Sequence, residues 1–142
     1  MRDNGPVSGK EIELRDDQLI ISRTDNQGRI VYANADFIEI SGFTEEELIG
    51  QSHNIIRHPD MPRGVFKFLW DNLATGKEVF AYVKNMAKDG SFYWVLATVK
   101  ADRDAQHNIR GYTSIRRKPS SEAIRQATGL YREMLAAEAS AG

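Results

Sequence analysis

Val79-Phe80-Ala81-Tyr82-Val83-Lys84-Asn85-Met86, then Ala87-Lys88-Asp89-Gly90, then Ser91-Phe92-Tyr93-Trp94-Val95-Leu96-Ala97-Thr98-Val99-Lys100-Ala101 is the stretch on which the fold turns. Two β-rich runs flank Lys88-Asp89-Gly90, a hairpin turn signal. Side chains alternate across a strand, so Val79, Ala81, Val83 and Asn85 share one face, and Phe80, Tyr82 and Lys84 the other. The first set is small and apolar and is expected inside. Asn85 then ends an inward row as a buried amide in need of partners, although capping the turn explains it equally well. On the second run Tyr93, Val95, Ala97 and Val99 form one row, whose small second half leaves room for a planar ring. Phe92, Trp94, Leu96 and Thr98 form the other row, too apolar to face water alone. The N-terminal arm, another domain or a second protomer is expected to cover it.

Upstream, Leu19-Ile20-Ile21 to Thr24 and Arg29 to Tyr32 are two strands around the turn Asp25-Asn26-Gln27-Gly28. Asn34 can cap a helix from Ala35 that Gly42 stops, and Thr44 with Glu47 forms a capping box for a short helix ended by Gly50. Gln51 to Asp60 is irregular and holds Pro59. Pro62 opens a third helix, with Val65, Phe66, Leu69, Trp70 and Leu73 at helical spacing and Gly76 closing it. Its stripe favours a core place for Trp70 over a ligand contact. Downstream come a polar loop from Asp102 to Asn108, a strand from Ile109 to Lys118, and a helix from Ser121 to Ala139 with a stripe of Ile124, Ala127, Tyr131, Met134 and Leu135.

The order β-β-α-α-α-β-β-β-α predicts an α+β fold: one five-stranded antiparallel sheet, short helices on one face, and an interior pocket of ligand size. Residues 1–17 are expected to be an arm or cap, 18–119 the folded domain, and 120–142 a helix or linker leading away from it. The 142 residues suit one domain. Nineteen Lys and Arg against 20 Asp and Glu leave a net charge of -1, without the basic excess of a nucleic-acid binder. The absence of Cys excludes disulfides, Cys-ligated metal and any thiol photoadduct. There is no apolar run long enough to cross a bilayer, no signal-peptide pattern, no nicotinamide motif and no catalytic triad.

Gln51-Ser52-His53-Asn54-Ile55-Ile56-Arg57-His58-Pro59-Asp60-Met61-Pro62 holds the densest set of candidate ligand groups. Arg57 offers planar forked donors to a phosphate, while His58 and Asp60 can bond a ribose or adenine or lock the loop. By spacing alone, an exposed Arg–Asp pair beside a proline turn is the plainer reading. This string resembles the PAS domains of the aerotaxis-receptor (Aer) family. Tyr32-Ala33-Asn34, Ser41-Gly42-Phe43, Val83-Lys84-Asn85, Tyr93-Trp94-Val95 and Gly111-Tyr112 match too, so the likeness runs from about Asp17 to Pro119.

The resemblance implies a non-enzymatic sensor that binds FAD non-covalently and reports redox state or oxygen in aerotaxis, energy taxis and chemotaxis. It implies a cytoplasmic domain of an inner-membrane-anchored receptor, with membrane-proximal and signalling domains as partners and a homodimer possible. It places the FAD contacts on Arg57, His58, Asp60, Asn85, Asn34, His53, Tyr93 and Trp70. His53 falls where light-sensing flavin PAS domains carry their reactive Cys, which again excludes an adduct, and those domains use an Asn at the place of Asn85. The chain departs from the Aer pattern at Val79, where the family has an aromatic, and loss of that ring wall is expected to weaken the flavin or move its adenine. The alternatives are a haem-binding gas sensor using His53 or His58, and a cofactor-free dimerisation module.

Overall fold

The computed structural model describes residues 4–141, so the first three residues of the expected arm and Gly142 lie outside the described residues. The strands are β1 (Ile20–Asp25), β2 (Ile30–Ala33), β3 (Val79–Met86), β4 (Phe92–Arg103) and β5 (Ile109–Arg117). The helices are α1 (Ala35–Ser41), α2 (Glu45–Leu48), α3 (Arg63–Ala74) and α4 (Ser121–Ser140), with a 3-10 turn over His53–Ile56. All strand pairs are antiparallel, in the order β2-β1-β5-β4-β3.

Local chemistry sets the boundaries as the sequence suggests. Asn34 Oδ1 accepts from Phe37 N, and the Thr44–Glu47 box is formed in both directions. Ser52 caps the 3-10 turn through Asn54 N, giving order to a segment that looked irregular. In the hairpin, Asn85 stands opposite Tyr93 and Val79 opposite Val99. Val79, Val83, Asn85, Tyr93, Val95, Ala97 and Val99 are buried, and Phe80 on the other row is 64% exposed. The inward rows meet Phe37, Leu48, Ile56, Leu69 and Leu73 from the short helices, and that layer is the core.

The sheet's outer face is covered in a way the sequence did not show. Part of the cover is α4: its Tyr131 ring stacks on Trp94 at 6.1 Å, and its hydroxyl donates to Tyr82 O at 2.5 Å. Farther along, Glu138 of α4 accepts from Arg63 N at 3.0 Å and Gly64 N at 2.9 Å, satisfying orphan donors at the start of α3. The arm adds a smaller cover. β5 pairs with β4 only as far as Leu96, and beyond it Lys10 O accepts from Phe92 N and Phe92 O from Ile12 N. Leu14 of the arm is buried.

Candidate functional site

A cavity of about 430 Å³ lies between the inner sheet face and the α-helical layer, within the range of small-molecule sites. Its wall includes Asn85 and Val83 of β3, Ala97 and Val99 of β4, Tyr112, Ser114 and Arg116 of β5, and Phe66, Leu69 and Trp70 of α3. His53 and Arg57 come to it from the turn before α3. No helix among the described residues is long and apolar enough to cross a membrane, and no metal-ligating cluster is found among them.

Arg57 enters the wall because the 3-10 turn delivers it to β3, where its backbone bridges to Asn85. Its guanidinium lies 4.2 Å over the Phe66 ring. Nε and Nη2 are buried with no hydrogen-bond partner among the described residues, and burial holds its pKa below the ordinary arginine value. Two unsatisfied charged donors are costly, so they call for an acceptor from outside the described residues. Asn85 is 4% exposed, and its side-chain amide has no bond among the described residues.

Arg116 escaped the sequence reading. It is 2% exposed and faces no carboxylate among the described residues; Nη2 donates to Ser22 Oγ at 2.9 Å, and Nη1 to Ser114 Oγ at 3.2 Å and to His53 Nε2 at 3.0 Å. Its guanidinium stacks 4.8 Å from the Phe37 ring centre, Nε has no partner, and burial pulls its pKa down to about 10. Because an arginine only donates, Nε2 of His53 must accept and the imidazole is neutral. Burial, then the charge of Arg116, depresses the His53 pKa to about 3. The only trace in the sequence is parity: Arg116 shares a row with Ser114 and Tyr112, while the apolar Ile115 belongs to the opposite row.

Three of the expected contacts, His58, Asp60 and Asn34, stand outside the cavity wall. His58 is 3% exposed but does not line the cavity: it packs edge-on against Phe92 of the outer row, and Nδ1 accepts from Asp60 N at 3.0 Å. Asp60 points away as well, its exposed carboxylate paired with Lys84 Nζ at 2.8 Å. The chain after Arg57 turns around the β3 edge and lays both side chains on the outer side, where Lys84 already points. Asn34 uses its whole amide on the backbone, accepting from Ile21 N and Phe37 N and donating to Leu19 O, and is outside the wall.

The other candidates divide. Tyr93 is inward and fully buried with an unpartnered hydroxyl, and burial raises its pKa, but it does not line the cavity. Trp70, which the helical stripe placed in the core and the resemblance placed against the flavin, is 46% exposed and lines the cavity, edge-on to Tyr112. Val79 is buried outside the lining.

A family model described as the PAS fold matches residues 30–116. The aerotaxis receptor of Escherichia coli strain K12 is 40% identical over 135 residues, covering 94% of this chain and 26% of that receptor. The nitrogen fixation regulatory protein of Klebsiella pneumoniae is 26% identical over 99 residues, 70% of this chain and 20% of that protein. The chain thus spans about a quarter of the length of the aerotaxis receptor it matches. Among solved structures, a light-oxygen-voltage domain studied with a flavin analogue superposes with a TM-score of 0.70 at 22% identity, covering 82% of this chain and 88% of that one. The dark structure of the blue-light photoreceptor Aureochrome1 LOV gives 0.67 at 21%, covering 84% and 86%.

Proposed function

The chain belongs to the PAS family as a sensor domain of the aerotaxis-receptor kind rather than an enzyme, and from that membership we propose that it binds FAD non-covalently and reports redox state or oxygen to a signalling partner. The observation that carries the reading is the Arg57 guanidinium in the cavity wall, with Nε and Nη2 buried and unpartnered. A pyrophosphate supplies the acceptors those donors lack. Asn85 offers both donor and acceptor to a pyrimidine edge, and Arg116 adds a cation with no carboxylate of its own. The flavin, when bound, supplies a ring system whose charge and protonation change on reduction.

The residues divide the remaining work. Val83, Ala97, Val99 and Leu69 give an apolar slot that excludes water from a planar ring. His53, held neutral by Arg116, is an acceptor fixed in one tautomer and does not supply a proton near neutrality. That engagement also weighs against haem, as does the buried, outward-packed position of His58. A change in the cavity reaches β3 and β5 through Asn85 and Arg116, and from there α4 and the arm on the outer face. In the longer receptor these elements lead to membrane-proximal and signalling segments, with the domain on the cytoplasmic side.

The test is the absorption spectrum of the purified domain, followed by heat release and chromatography of the chromophore. Two bands in the blue and near-ultraviolet and recovery of FAD are expected. Recovery of FMN alone, a Soret band, or no visible absorption after supplementation with FAD overturns the proposal. Hydrogen exchange of the arm, β4 and β5, oxidised against dithionite-reduced, tests the output route; identical protection excludes it.

A further inference from the structure

We infer that Asn4 of the N-terminal arm is a positioning residue for Arg57, so that docking of the arm and binding in the cavity strengthen one another. The coupling concerns the flavin site proposed above, rests on that reading and adds its regulation.

The turn that carries Arg57 is a wall of the cavity, to which it contributes Ser52, His53, Asn54, Ile56 and Arg57. Its two ends are held by different parts of the chain. At the start, His53 N donates to Gly28 O at 3.0 Å and Ile30 N to Gln51 O at 2.8 Å, which ties the turn to the first hairpin. At the other end, Arg57 N donates to Asn54 O at 3.0 Å and the backbone bridges to Asn85. The arm completes that end. Asn4 Nδ2 donates to Asn54 O and to Arg57 O, each at 2.9 Å. A primary amide carries two N–H donors, so Asn4 uses both on this one turn. Holding Arg57 O fixes the root of the side chain whose Nε and Nη2 lack partners among the described residues. A loop fixed beforehand in its binding geometry raises affinity, because less ordering is left for the ligand to impose.

The arm that brings Asn4 there is lightly held. From Gly5 to Glu11 its side chains are exposed. Backbone bonds attach this stretch to the second hairpin: Ser8 N donates to Gly90 O at 3.0 Å, and Phe92 N to Lys10 O at 2.9 Å. The nearest buried anchor toward the domain is Leu14, at 2% exposure. Few apolar contacts and exposed backbone bonds mark a segment that opens locally while the rest stays folded. Its docking equilibrium therefore lies within reach of a single ligand. A ligand that engages Arg57 favours the turn in the position that Asn4 recognises, and a docked arm presents Arg57 already in place. Linkage makes the two effects equal in size.

The experiment measures both directions. The flavin-depleted chain is titrated with FAD, and tryptic cleavage at Lys10 is timed with and without saturating FAD. Asn4→Ala should bind FAD about five- to tenfold more weakly, and Asn4→Asp, which keeps the shape but loses both donors, at least as much. Gly90→Ala, which lifts the arm at a different point, should weaken binding by a similar factor. Saturating FAD should slow cleavage of wild type by that same factor, since cleavage follows the population of the open arm, and should barely slow cleavage of Asn4→Ala. Without any ligand, amide exchange at Arg57 should quicken in Asn4→Ala while exchange in β5 stays as in wild type, a pattern that general loss of the fold does not give. Wild-type affinity in both Asn4 variants, or equal cleavage of wild type with and without bound FAD, overturns the coupling. Unaltered exchange at Arg57 in ligand-free Asn4→Ala overturns it independently of any flavin. A wild-type chain that binds no FAD overturns the flavin reading instead, and the exchange measurement still decides whether Asn4 positions Arg57.

Discussion

His53 should make the domain acid-labile. In the folded protein its Nε2 accepts from Arg116 at 3.0 Å and lies 3.1 Å from the Ser22 hydroxyl, so a proton there would meet a fixed cation. Its folded pKa falls from 6.5 to about 3. The unfolded chain takes up a proton below 6.5 that the folded chain refuses, so this stability is present above 6.5 and drains as pH falls toward 3. At pH 5.0 the unfolded state gains about 1.5 pH units of proton binding, or about 2 kcal/mol; any folded value below about 4 gives the same result. His53→Asn removes the titration while keeping a polar side chain of similar reach. Urea unfolding at pH 7.5 and 5.0, at equal ligand load, should show the wild-type midpoint dropping about 1 M more than the variant's. Burial and Lys84 also depress the pKa of His58, which adds acid loss to both proteins equally, so the difference isolates His53. Equal losses in the two proteins would refute the buried pair as the cause.

Arg57→Ala should lower flavin affinity about ten- to a hundredfold through the lost charge-assisted bonds, whereas Asp60→Ala, which removes only an exposed partner of Lys84, should leave it unchanged in the same titration. Gly90→Ala should lift the arm, because a Cβ there stands 2.6 Å from Pro6 O at a φ of +91°; tryptic cleavage at Lys10 should quicken, and an unchanged rate would count against arm docking. Tyr131→Phe should cost about 1 kcal/mol in a thermal melt by orphaning Tyr82 O, with faster amide exchange confined to α4.

The parts of the fold that depend on near neighbours were legible. Alternation from Val79 to Asn85 placed the inner row, and the caps at Asn34 and Thr44 began the helices where expected. Arg57 and Asn85 were legible as candidates because one is a forked donor in a run of polar groups and the other a polar end to an apolar row. What failed depended on distant partners. Nothing local to His58 or Asp60 says that the chain there turns over the β3 edge to meet Phe92 and Lys84. Arg116 was hidden by composition, since an arginine beside Ile115 reads as the exposed member of the pair, and only Ser22, Ser114 and His53 make its burial tolerable. The covering of Trp94 by Tyr131 depends on how far α4 extends back over the sheet, which no residue of the hairpin encodes.

The borders of the sheet have a consequence for solubility. An unpaired strand border is a template for another chain, and proteins suffer aggregation where one is left open. Here β3 is closed by unlike groups: the Tyr131 hydroxyl on Tyr82 O, Met61 Sδ accepting from Lys84 N at 3.2 Å, and the backbone bridge from Arg57 to Asn85. At the opposite border β2 is only four residues long, and Ile30 uses its N–H on Gln51 O and its carbonyl on Gly50 N. The Tyr82–Asn85 stretch of β3 and Ile30 of β2 are thus engaged among the described residues, which disfavours sheet extension by another copy at those positions. The protection on β3 is only as durable as the seat of α4: a change that unseats this helix uncovers Tyr82 O and makes the border a seed for fibrils.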